Sequence, residues 1–281
     1  MKTIGFADYY ISEWHANNYP IWIKEICEKT GKDFQVKYAW AEEYVSPVDG
    51  RNTDEWCEEF GCEKCDSLEE LCEKCDYILV LAPSNPEKHL GYAKEVLKYK
   101  KNTYIDKTFA DNYDEAKEIF DIAEKYGTKF FSSSALRYGE ELDELPDNCT
   151  GILTTGGGGN LPEYAIHQVE MIVKVLNENP VAVKVEQQGR QYICNIKLEN
   201  DKFASMVYAP ALPFSVCVHT SDDKSVYKCI NSDMFKGLIA DILNFYETGE
   251  TSFDTQQTLT VMKIRTGVIE AMDKLGEWIN F

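Results

Sequence analysis

The chain has 281 residues, enough for two domains or one large one, and its 44% hydrophobic share supports a sizeable core. A net charge of -19 without a Lys/Arg run excludes the basic face a nucleic-acid binder needs, and a charged share of 27% excludes global disorder. No stretch reaches the ~20 apolar residues of a membrane span, and the opening MKTIGFADYY lacks the features of a signal peptide, so a cytoplasmic chain with reduced thiols is expected.

The first half alternates strand and helix signals. Residues 3–7 are a short apolar run, 14–28 have helical spacing, and 34–40 alternate like a strand. Ser67-Leu-Glu-Glu70 reads as a capping box opening a helix. Residues 77–82 (YILVLA) are a continuous apolar run, the mark of a strand buried on both faces of a parallel sheet. Asn85-Pro86 opens the next helix, 102–105 form a strand, a helix runs from Asn112 and Glu115 to Gly127, and 128–132 are strand-like. Strands separated by helices of this length predict a doubly wound parallel sheet.

The second half differs. Four glycines at 156–159 precede a helix over 163–176; runs at 181–185, 191–198, 203–208, 214–219 and 225–229 are spaced for antiparallel pairing; helices near 234–248 and 255–278 close the chain. The expected fold is α/β: a Rossmann-like domain over 1–134, then a C-terminal α+β domain over 135–281 with a mainly antiparallel sheet, whose last helices pack back on the first domain.

The stretch CDYILVLAPSNPEKHLGYAKEVLKYKKNTYIDKTFA resembles the fourth-strand segment, turn, His-bearing helix and Glu-Lys-Pro signature of the Gfo/Idh/MocA family of nicotinamide-dependent sugar and polyol oxidoreductases, with Asp106-Lys107-Thr108 at that signature. Ala135-Leu-Arg-Tyr138 is similar to the family's Arg-Tyr or Arg-Phe, and GGGGNLPEYAIHQVEMIV resembles its glycine loop and Asp-x-x-x-His helix, with Glu163 at the Asp position and His167 at the His position. Glu170 matches a further acidic residue three places on. The resemblance spans nearly the whole chain.

It implies an oxidoreductase acting on CH–OH groups with NAD or NADP. Lys107, His167 and Glu163 would be catalytic, His167 moving the hydroxyl proton with Lys107 in support. Ala82, Pro83, Ser84, Asn85, His89, Asp106 and Lys107 would line the cofactor, and Arg137, Tyr138 and His167 a small-molecule substrate: a sugar, polyol or related hydroxy compound. It also implies a homodimer or homotetramer through the C-terminal sheet. On residue chemistry alone, Lys107 follows a strand at the ligand-binding edge of an open sheet, where desolvation lowers an amine's pKa. Glu163 and His167 lie four apart on one helix face, so the carboxylate can orient the imidazole. His15 and His219 carry no signal.

One motif departs. Anchored on His15, the G-x-G-x-x-G positions fall at Ala7, Tyr9 and Ser12, and the turn residues Ala7, Asp8, Tyr9, Tyr10 and Ile11 carry a bulky ring where the backbone meets the pyrophosphate. Asp8 and Glu13 add charge that opposes an anion at a helix start. Tyr9 could touch a displaced cofactor and Trp40 stack on its adenine. Weak or shifted NAD(P) binding is expected; the alternative is a cofactor-free lyase or isomerase, or a catalytically silent partner subunit, on the same scaffold. Cys57, Cys62, Cys65, Cys72 and Cys75 fall within nineteen residues. The capping box between the two C-x-x-C pairs points to scattered thiols and no metal.

Overall fold

The computed structural model describes residues 1–281. The chain divides into two compact units: Met1–Ser133 with Ile239–Phe253, and Ser134–Leu238 with Asp254–Phe281. No helix is long and apolar enough to cross a membrane.

In the first unit, β1 (Lys2–Asp8), β2 (Phe34–Ala41), β3 (Glu63–Lys64), β4 (Tyr77–Val80), β5 (Thr103–Ile105) and β6 (Phe130–Phe131) form one parallel sheet in the order β3-β2-β1-β4-β5-β6. Ile4, Phe6, Ile78, Leu79, Val80, Tyr104 and Ile105 are completely buried, as a sheet covered on both faces requires. The crossovers carry α1 (Trp14–Thr30), α2 (Thr53–Phe60), α3 (Leu68–Lys74), α4 (His89–Val96) and α5 (Tyr113–Tyr126). The strand order reverses beside β1, so the carboxyl ends of β1 and β4 flank the switch point where such sheets take ligands.

Local signals resolve differently in places. Ser67 caps α3 through Glu70 N, but the Glu70 carboxylate reaches back to Asp66 N at 2.7 Å, one residue before the cap. The reciprocal capping box opens α2, between Asn52 and Glu55, a helix the sequence pattern had not disclosed. Pro86 begins only a single 3₁₀ turn, Pro86–Lys88, and α4 proper starts at His89.

The second unit holds α6 (Glu140–Asp143), β7 (Cys149–Gly156), α7 (Leu161–Leu176), β8 (Pro180–Gln188), β9 (Gln191–Leu198), β10 (Phe203–Tyr208), β11 (Ser215–Thr220), β12 (Ser225–Cys229), α9 (Gln256–Met272) and β13 (Ile279–Asn280). Between these lies α8 (Met234–Thr248), whose residues from Ile239 onward count with the first unit. There Tyr246 donates to Ile78 O at 2.7 Å and stacks on Tyr77. The seven-stranded sheet runs β12-β11-β7-β10-β9-β8-β13 and is antiparallel except where β7, unforeseen as a strand, inserts parallel to β10. α7 and α9 pack together and cover one face, α7 against β7 and α9 against β8. The final helix ends at Met272, earlier than the expected 278.

Candidate active site

The carboxyl edge of the parallel sheet is held by buried acids. Asp8 ends β1 at 1% exposure. Its Oδ1 accepts from Tyr9 N at 2.7 Å and from Ala82 N at 3.0 Å, tying the turn after β1 to the turn after β4. Ala82 sits there at φ 63, a left-handed conformation that a residue with a β-carbon holds only when its surroundings impose it. Asp8 Oδ2 is buried without a hydrogen-bond partner. Burial, then the nearby Glu13 carboxylate, raises the Asp8 pKa well above the usual carboxylate range.

Glu13 caps α1. Its carboxylate accepts from His15 N at 2.7 Å and from Ala16 N, and its carbonyl takes Asn17 N at 2.9 Å. Burial raises its pKa as well. His15, which the sequence left without a role, places Nδ1 against Asp106 Oδ2 and 3.0 Å from Tyr19 Oη. Asp106 is fully buried after β5, and its Oδ1 accepts from Lys107 N at 2.8 Å and Tyr104 Oη at 3.2 Å. Burial pushes the Asp106 pKa up, but the His15 imidazole beside it prevails and holds it below the usual range.

Lys107 is half-buried one residue on, its Nζ 3.3 Å from Pro83 O, so the segments 82–85 and 106–107 meet at one edge. Of the other cofactor candidates, Ala7 is buried in β1, Tyr9 and Tyr10 rings meet at 5.6 Å, and Ile11 is buried. Ser84 is exposed, and Asn85 Nδ2 donates to Glu87. His89 is completely buried, with Nδ1 3.1 Å from Phe109 O and Nε2 on Leu81 O, so it staples the ends of β4 and the 107–109 turn. Burial lowers its pKa. Trp40 packs edge-on against Tyr92.

Glu42 lies just past β2, beyond the Trp40 and Ala41 positions where the sequence left the acidic ribose ligand unassigned. Lys88 Nζ lies 2.6 Å from Oε1 and Tyr92 Oη 2.7 Å from Oε2, while the same ammonium stands 4.3 Å from the Tyr9 ring centre. An acidic residue at the end of the second strand is the ribose-binding group of dinucleotide folds. Its position was legible in the sequence; its partners were not.

In the second unit, His167 is half-buried on α7. Its Nδ1 and Ser134 Oγ are 2.7 Å apart, and Tyr164 and Phe214 flank the ring. Ser134 therefore fixes the imidazole, a partner absent from any motif. Glu163 takes Asn160 Nδ2 at 3.3 Å, and Asn160 caps the helix through Glu163 N. Arg137 is buried against Glu170, with Nε on Oε1, and its carbonyl accepts from Lys174 Nζ at 2.7 Å. Tyr138 is half-buried and packs against Gly237. The glycine run serves packing: a Cβ on Gly157 would lie 2.4 Å from Ala209 O, and one on Gly158, at φ +144, 2.1 Å from the Tyr164 ring.

The five clustered thiols are free cysteines. Cys62 Sγ faces Val36 O, and Cys57, Cys65, Cys72 and Cys75 are buried. Burial pushes the Cys57 and Cys65 pKa values up to about 12 and the Cys62 and Cys75 values up to about 11. No three His, Cys, Asp or Glu side chains are grouped to hold a metal ion.

Residues 41–134 match the profile described as "Oxidoreductase family, NAD-binding Rossmann fold" of the Gfo/Idh/MocA group. No curated protein matches the sequence. Among solved structures, a chain from Thermotoga maritima described as a probable dehydrogenase superposes with TM-score 0.82 at 11% identity, covering 99% of this chain and 98% of that one. Scyllo-inositol dehydrogenase from Lactobacillus casei, with NAD(H) and scyllo-inositol bound, gives 0.76 at 13% over 100% and 99%. UDP-N-acetylglucosamine 3-dehydrogenase GnnA from Acidithiobacillus ferrooxidans gives 0.76 at 13% over 96% and 97%. At these identities the likeness is one of fold.

Proposed function

We propose that this chain, a Gfo/Idh/MocA family protein through its residues 41–134, is an NAD- or NADP-dependent oxidoreductase of a sugar, polyol or related hydroxy compound. The observation that carries the reading is the sheet edge itself. The ends of β1, β4 and β5 bring Asp8, Ala82, Pro83, Asp106 and Lys107 together where open parallel sheets bind ligands. Lys107 presents an ammonium there on a backbone fixed by Asp106. His167, with Nδ1 set by the Ser134 hydroxyl, is suited to exchanging a proton with a substrate hydroxyl oxygen. Bound nicotinamide would supply the redox chemistry. The α1 start, however, does not offer its N–H groups to a diphosphate, because Glu13 takes them, so the standard phosphate pose does not fit this turn.

That misfit favours the second reading, a cofactor-free lyase or isomerase or a silent partner subunit, far enough to be tested beside the first. Titration of the wild-type chain with NAD and with NADP, then assay against sugars and polyols for nicotinamide reduction, separates them. Turnover is expected with one dinucleotide, and Lys107→Ala or His167→Ala should reduce it ~10²-fold or more with the fold intact. Wild-type-like turnover in either variant would sink the assignment, and no binding of either dinucleotide would promote the cofactor-free reading. A homodimer or homotetramer through the uncovered face of the seven-stranded sheet belongs to the same proposal. That face exposes Leu153, Ile193, Phe203 and Tyr227, with a hollow of about 280 Å³ over Gly151. Light scattering that finds only monomer would remove it.

A further inference from the structure

The start of α1 is the one place on the sheet edge whose chemistry the family reading does not absorb. In a dinucleotide fold the first-helix N–H groups are left open and glycines let a diphosphate approach them. Here the helix carries its own anion. Glu13 is only 6% exposed, and its two carboxylate oxygens are engaged by His15 N and Ala16 N. A diphosphate oxygen would need those same donors.

The turn is also closed from outside. Glu42 N and Glu43 N donate to the carbonyls of Asp8 and Tyr9 at 3.1 and 2.7 Å. Ser46 Oγ donates to Ser12 O at 2.7 Å, Ser12 Oγ donates to Asp49 at 2.7 Å, and Arg51 Nε donates to Ser12 Oγ at 3.0 Å. Arg51 additionally reaches Asn17, on the first turn of α1. These bonds hold the loop before Glu13 in place, so its carboxylate is not a loose arm that swings away. A second, independent sign that the turn lacks spare donors is Asp8 Oδ2, buried there without a hydrogen-bond partner. An arriving diphosphate would meet the Glu13 carboxylate in a poorly solvated setting, where repulsion between like charges is strongest.

We propose that Glu13 is a specificity-determining residue: it stands in for the ligand's phosphate at the head of α1, so a dinucleotide bound to this sheet edge keeps its diphosphate off the α1 N–H groups. This rests on the oxidoreductase reading for its ligand class. It makes one direct statement of its own: the wild-type edge gains nothing from a diphosphate, and removing the Glu13 carboxylate restores that gain.

The test titrates wild type, Glu13→Gly and Glu13→Gln with adenosine, ADP, NADH and NADPH, following heat and nicotinamide fluorescence, with circular dichroism to check each fold. Wild type should bind ADP no more tightly than adenosine. Glu13→Gly, which frees the N–H groups and keeps a residue tolerated at a helix cap, should prefer ADP over adenosine by about tenfold or more, the scale of a charge-assisted hydrogen bond. Glu13→Gln removes the charge but keeps an acceptor on the helix, so its preference should fall between. If Glu13→Gly does not fold, Glu13→Ser takes its place, since serine caps through one donor and leaves another for phosphate. A wild type that already prefers ADP tenfold overturns the proposal, and so does a folded Gly or Ser variant with no gain. Failure of wild type to bind NADH or NADPH overturns the oxidoreductase reading separately. In that case ADP binding gained by the variant still supports the role of Glu13.

Discussion

Asp106→Asn should destabilise the N-terminal unit and do so with a characteristic pH dependence. Asp106 is completely buried, meets His15 Nδ1, and accepts from Lys107 N and Tyr104 Oη. Asparagine keeps an acceptor for the two neutral donors but removes the charge facing the imidazole. Replacing a charged hydrogen-bond acceptor by a neutral one at a buried site costs about 1.5–3 kcal/mol. In a unit of roughly 150 residues that is a fall in Tm of about 3–12 °C. Because the folded pKa of Asp106 is depressed, its stabilisation is present above the unfolded value of ~3.9 and disappears as pH falls through the folded value. The gap between wild type and variant should therefore be fully open above pH ~4 and should close in acid. Asp8 has the opposite sign. Its raised pKa gives a contribution present below the unfolded value and lost as pH rises through the folded one, so Asp8→Asn should cost little, or stabilise, at neutral pH. Urea unfolding of all three proteins across pH, read by far-UV circular dichroism, measures both. An Asp106→Asn loss below about 1 kcal/mol at neutral pH, or a loss that does not shrink in acid, would refute the stabilising charge assigned to the buried Asp106 carboxylate.

Gly158→Ala should destabilise the C-terminal unit by about 1–3 kcal/mol, since a β-carbon at φ +144 meets the Tyr164 ring, and thermal melts will show it. Cys57 and Cys65, held near pKa values of about 12 by burial, should react with a thiol reagent at neutral pH only as fast as the unit opens, whereas unfolded chain should label at once. Chelation should leave the melting temperature unchanged, and stoichiometric zinc or iron in protein purified without added metal would overturn the assignment of these thiols as metal-free.

The parallel sheet was legible because each strand reports its own burial. A run such as 77–82 is apolar without alternation only if both faces are covered, and Lys107 follows a strand directly, so its place at the sheet edge needs no tertiary information. The loss of glycine at Tyr9 was likewise plain in sequence. What tertiary structure decided are the pairings between distant segments. His15 meets Asp106 across 91 positions, His167 takes Ser134 across 33, and β7 enters the second sheet beside β10. Periodicity records how much of a side chain is covered but not by what, because the covering segment is chosen by strand order. Glu13 shows the same limit at short range. Its charge near the helix start was visible in the sequence, but a glutamate is not among the preferred capping residues. Only the turn's conformation, fixed by Ser46, Asp49 and Arg51 from another loop, folds the carboxylate back onto the helix donors.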